Sequence, residues 1–109
     1  MLSQFPALHA NWQEELAGNR RAIIFCWASW SPPDFMFSPV LARVVPDLKE
    51  CAFFTADLDE GDLVPFLLEA EVMTNPHVLL WENGTVRERI IGFMKEENLR
   101  GLFAEWGVL

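Results

Sequence analysis

Apolar positions along the chain fall into short blocks whose spacing switches between helical and strand-like. Trp12 and Leu16 lie four apart, with Gly18-Asn19 behind them as a stop, which predicts a helix over Asn11–Ala17. Ala22–Ala28 (AIIFCWA) is an unbroken apolar run. Its length and its Ile, Phe and Trp content suit a strand buried on both faces. Met36, Phe37, Val40, Leu41, Val44 and Leu48 recur at helical spacing, predicting a helix over Met36–Leu48 with a bend at Pro39.

Ala52–Ala56 is the next strand candidate, followed by the acidic residues Asp57, Asp59, Glu60 and Asp62. Leu63, Phe66, Leu67 and Ala70 then form a helical stripe, with Pro65 tolerated in its first turn. Val78–Trp81 and Val86–Ile91 read as two strands joined at Glu82-Asn83-Gly84, because Asn-Gly accepts positive φ. Lys95–Trp106 closes the chain as a helix with Leu99, Leu102, Phe103 and Trp106 on its apolar face. Gly101 weakens that helix by about 1 kcal/mol relative to alanine. The order is α-β-α-β-α-β-β-α, with a short extra strand around Phe5–Leu8 as an option. Strands alternating with helices imply a parallel core, to which the Asn-Gly hairpin adds an antiparallel edge.

Composition narrows the function classes. The length of 109 residues fits one domain over 1–109, and an apolar content of 51% fits a globular one. Sixteen acidic residues against eight basic ones give a net charge of −8. That leaves no concentrated basic surface for a phosphate backbone, so nucleic acid is excluded as the main partner. No apolar run reaches the roughly 18–20 residues of a membrane span. Met1–Ala10 lacks the basic and apolar regions of a signal peptide, so the expected location is cytoplasmic, with Cys26 and Cys51 reduced. No cofactor and no metal is expected. The two histidines, His9 and His77, make no ligand cluster, and the acids after Asp57 lack the position-12 acid of an EF-hand loop. Those acids are expected to cap the following helix, and His77 to be solvated or hydrogen-bonded.

The segment Trp27-Ala28-Ser29-Trp30-Ser31-Pro32-Pro33-Asp34, directly after an apolar strand, resembles the active-site segment of the thioredoxin family, W-A-x-W-C-G-P-C. Pro39 matches the family's helix-kinking proline, Asn75-Pro76-His77 its cis-proline segment, Glu82-Asn83-Gly84 its hairpin turn and Gly92 the glycine ending its last strand. The resemblance spans nearly the whole chain. It implies a thioredoxin fold: a mixed α/β sheet of four or five strands flanked by helices on both faces. It also implies that Ser31 stands at the nucleophilic cysteine, Asp34 at the resolving cysteine and Phe25 at the buried acid.

Dithiol exchange needs an attacking thiolate and a second resolving thiol, so no catalytic residue is assigned to the degenerate positions Ser31, Pro32, Pro33 and Asp34. Their structural reading is a helix start, with Ser31 as N-cap, proline in the first turn and Asp34 completing a capping-box-like pair. The parallel strands that the family implies put Cys26 and Cys51 at opposite ends of the sheet, beyond disulfide reach, as small buried apolar groups. The family's substrate groove falls at Trp30, Phe35, Asn75, Pro76 and Phe93, with Met94 beside it. These residues make a surface for an extended, basic peptide or protein partner.

The sequence therefore favours a redox-inactive, thioredoxin-like binding module, acting in assembly, chaperoning or scaffolding through the former substrate groove. The rival is an enzyme, either thiol- or glutathione-linked through Ser31 or monothiol at Cys26 or Cys51. A homodimer burying the groove against its own copy is the third reading.

Overall fold

A computed structural model describes residues 4–109. Four strands form one mixed sheet: β1 (Arg21–Trp27), β2 (Ala52–Asp57), β3 (His77–Glu82) and β4 (Thr85–Ile91), in the spatial order β2-β1-β3-β4. The helices are α1 (Trp12–Ala17), α2 (Pro32–Val44), α3 (Val64–Glu69) and α4 (Glu96–Glu105), and single 3₁₀ turns cover Val45–Asp47 and Gly61–Leu63. This is the thioredoxin fold. The stretch around Ala7 makes an isolated parallel bridge to Thr55 rather than a fifth strand.

The expected parallel core is corrected. Only β1 and β2 run parallel; β3 is antiparallel to β1, and β4 is antiparallel to β3. A strand buried on both faces is an apolar run in either direction, so composition does not reveal its sense. The hairpin turn is as the sequence indicates. Asn83 (φ 52°) and Gly84 (φ 87°) both adopt the left-handed conformation of a two-residue β-turn.

Alternation along the strands divides the core in two. Ile23, Phe25, Phe53, Val78, Leu80 and Ile90 face α2 and α4, meeting Phe37, Leu41, Leu99 and Phe103. Ala22, Ile24, Cys26, Phe54, Leu79 and Trp81 face the other way, onto Trp12 and Leu16 of α1 and Phe66 of α3. Burying each large side chain contributes about 1.5–3 kcal/mol. These two cores hold β1 fixed, and β1 in turn delivers its C-terminal end to the turn that precedes α2.

Helix α2 starts four residues earlier than the apolar stripe suggests, because Pro32 and Pro33 already occupy its first turn. It continues past Pro39 to Val44. The acids after β2 do not cap a helix. Asp57 Oδ1 accepts a bond from the Asp59 N–H (2.9 Å), and neither the 3₁₀ turn nor α3 has a side-chain cap.

Candidate functional site

The C-terminal end of β1, the first turn of α2 and the loop entering β3 converge on one edge of the molecule. The Ala28–Asp34 turn folds on itself through Ser31 N–H to the Ala28 carbonyl (3.2 Å). Asp34 N–H and Phe35 N–H both donate to the Ser31 carbonyl, at 3.1 and 3.4 Å. Pro32 and Pro33 carry no N–H. The start of α2 thus has its first-turn donors committed, so an anion finds no free amide among them. Ser31 occupies the N-cap position in extended conformation, but its hydroxyl makes no capping bond.

Asp34 does not complete a capping box either, which corrects that expectation. The residue is only 1% exposed, and its Oδ2 points across the groove. It accepts the Ala28 N–H at 2.7 Å and the Asn75 side-chain N–H at 2.9 Å. Its other oxygen, Oδ1, is buried without a partner. The first α2 turn and the loop before β3 are thereby joined directly. In that loop the Asn75–Pro76 peptide is cis, Pro76 is buried, and its carbonyl accepts the Gly92 N–H at 2.9 Å.

The apolar residues of the expected groove differ from one another. Trp30 is 66% exposed, and its indole N–H lies 3.4 Å from Asp59 Oδ1. Phe35 is 40% exposed and packs edge-on against Trp27, with centroids 6.3 Å apart. Phe93 is 45% exposed but rests on core Phe37 at 5.5 Å. Met94 packs against the core under α4. Phe35 and Phe93 therefore each have an inner face that the fold uses and an outer face left bare, whereas Trp30 is held only through its indole N–H.

Neither thiol opens onto this site: Cys26 adjoins it in β1, but its side chain lies in the core with α1 and α3. Cys26 is fully buried, and burial pushes its pKa up to about 12. Cys51 is half-buried rather than enclosed, which corrects the expectation for it. Burial still pushes its pKa up to about 11, against the opposing pull of Arg21. The register pairs Cys26 with Ala56, whereas Cys51 precedes Ala52, the partner of Ala22. The two thus flank opposite ends of the parallel pair, and both are free.

Sequence reasoning missed Arg89. Its guanidinium donates to the carbonyls of Ala70 (2.9 Å) and Glu71 (3.3 Å), closing the end of α3, and lies 3.1 Å from His77 Nε2. His77 is buried, and its Nδ1 is unpartnered. Burial, with Arg89 adding to it, holds its pKa below the usual histidine range. Only the strand register, which pairs Arg89 with Leu79, sets it on the same face as His77. No group of three or more metal-ligating side chains occurs among the described residues. None of their helices is long and apolar enough to cross a membrane.

A mixed sheet with β1 central, a cis-proline loop opposite the start of α2 and helices on both faces defines a thioredoxin-type protein. The comparisons agree: the family model described as Thioredoxin matches residues 4–105, and the chain belongs to the thioredoxin family. Thioredoxin of Mycoplasmoides gallisepticum is 25% identical over 87 residues, covering 80% of this chain and 85% of that protein. Thioredoxin H3 of Arabidopsis thaliana is 28% identical over 96 residues, covering 84% and 80%. Thioredoxin of Staphylococcus aureus (strain Mu50) is 31% identical over 74 residues, covering 67% and 69%. Among solved structures, oxidized mitochondrial thioredoxin 3 of Saccharomyces cerevisiae superposes with a TM-score of 0.81 at 22% identity, covering 94% of this chain and 96% of that one.

These relatives correct the functional expectation. They carry the name thioredoxin and match across most of the chain, which favours the thiol-linked redox reading over a redox-inactive binding scaffold.

Proposed function

We propose that this chain works in thiol–disulfide chemistry of the thioredoxin type, with the reacting sulfurs supplied by its substrates. The observation that carries this reading is the match to thioredoxins over residues 4–105, in a chain that holds the start of α2 beside a cis Asn75–Pro76 loop. Its own thiols are poor nucleophiles. Burial pushes their pKa values up to about 12 and about 11, so at pH 7 both stay overwhelmingly protonated. Neither thiol belongs to the groove.

The substrate is an extended peptide bearing a mixed disulfide, lying across Trp30, Phe35 and Phe93 with its backbone against Asn75. The net charge of −8 favours a basic peptide. The co-substrate is a small thiol of the glutathione class. Its thiolate attacks one sulfur of the mixed disulfide; one S–S bond forms as the other breaks, and the displaced thiolate leaves and takes a proton from solvent. The Ser31 hydroxyl, free of a capping bond, donates to the sulfur on which charge develops. Orientation of the two sulfurs supplies the remaining acceleration.

The test is glutathione-dependent reduction of a basic peptide–glutathione mixed disulfide. Wild-type protein is expected to raise the rate above the buffer reaction, and Ser31→Ala to lower that excess by about a hundredfold, the low end of what a lost transition-state donor costs. A wild-type rate equal to buffer overturns the reading.

A further inference from the structure

The carboxylate of Asp34 is the one charged group shut inside the groove wall, and the proposed chemistry does not use it. It sits at the family's resolving-cysteine position, yet its contacts run sideways. Oδ2 takes the Ala28 N–H from the turn after β1 and the Asn75 side-chain amide from the loop 41 residues further along. Gly92 N–H, at the far wall, is bonded to the Pro76 carbonyl in turn. Ala28, Asp34, Asn75, Pro76 and Gly92 thus form one linked chain across the site.

We propose that Asp34 is a positioning residue: a hydrogen-bonded clasp that fixes the Asn75–Pro76 loop against the start of α2 and so sets the groove in which substrate docks. Its functional consequence rests on the reading given above. The clasp works through one oxygen. Oδ1 has no partner and is buried, so the charge itself makes no second bond. Asparagine can therefore keep both bonds through its carbonyl oxygen, at a cost in stability because its amide then lies at the buried, partnerless Oδ1 position. A buried oxygen bonded twice from two segments is a stronger tie than an exposed pair, because truncation leaves two donors behind.

The experiment compares wild type, Asp34→Asn, Asp34→Ala and Asn75→Ala by ¹⁵N nuclear magnetic resonance and by turnover of the basic peptide–glutathione mixed disulfide. In wild type and Asp34→Asn, the Asn75 side-chain amide is expected to resonate away from solvent-exposed amides. In Asp34→Ala it is expected to move to the exposed position, with the Gly92 amide shifting as well. Asn75→Ala removes one arm only, so Gly92 shifts while the Ala28 amide stays protected from exchange. This variant keeps the question decidable if Asp34→Ala does not fold. In turnover, Asp34→Ala and Asn75→Ala raise KM at least tenfold with kcat within threefold, and Asp34→Asn stays within twofold of wild type in both.

An Asn75 amide unchanged in Asp34→Ala, or a Gly92 amide unchanged in Asn75→Ala, overturns the clasp. So does a folded Asp34→Asn whose Asn75 amide resonates as in Asp34→Ala. If wild type shows no turnover, the redox reading fails, and the resonance arm still decides the clasp.

Discussion

The two ends of β1 are each held by one charged side chain, in opposite ways. At the C-terminal end Asp34 reaches in, is 1% exposed, and gathers two donors on one oxygen. At the N-terminal end Arg21 reaches out, half-exposed, and donates to three carbonyls: Gly107 at 2.9 Å, Lys49 at 3.0 Å and Glu50 at 3.4 Å. Arg21 ties the chain terminus and the approach to β2 in a setting where water can replace each bond. Asp34 ties the groove through a fully buried bond from Ala28, which water cannot replace, and a part-buried one from Asn75. Anchoring with solvent available tolerates loss; anchoring without it makes the groove depend on a single residue.

The largest effect is expected at Asp34. Asp34→Ala strands the Ala28 N–H and the Asn75 amide, and is expected to lower stability by about 2–3 kcal/mol in urea unfolding, as for bonds to a charged group. Arg21→Ala is expected to cost about 1 kcal/mol, with faster amide exchange at Lys49, whose N–H bonds Val108 at 2.9 Å. Equal losses at the two ends would erase the distinction.

Acid sharpens it on a different axis. His77 has a lowered pKa, so the unfolded chain takes up its proton first as pH falls. This contribution to stability is present above about pH 6.5 and declines below it. The unfolding midpoint of wild type should fall from pH 7 to pH 5.5, and less so in His77→Gln.

A smaller effect has the opposite sign. A Cβ at Gly101 meets nothing within 4 Å, so Gly101→Ala is expected to raise stability by about 0.5–1 kcal/mol in the same urea titration.

Much of this architecture is legible in the chain. The run Ala22–Ala28, the stripe of α4 and the Asn83-Gly84 turn each carry a local signal that the structure repeats to within one or two residues. The sense of β3 was not legible, because burial on both faces erases the alternation that would betray it. Asp34 was misread for a related reason. Ser-x-x-Asp is locally a capping pattern, and nothing near residue 34 points to Asn75, which the fold alone brings within 2.9 Å. Arg89 was passed over because its partners, His77 and the end of α3, meet it only once the sheet has formed.

In the proposed chemistry the reacting sulfurs belong to the substrates. The most direct measurement is the turnover of the basic peptide–glutathione mixed disulfide by the cysteine-free variant Cys26→Ala with Cys51→Ser, beside wild type. Both thiols lie outside the groove with pKa values near 12 and 11, so the variant is expected to keep at least half the wild-type rate above buffer. A rate that falls to the buffer value in a folded variant would place the chemistry on the chain's own cysteines.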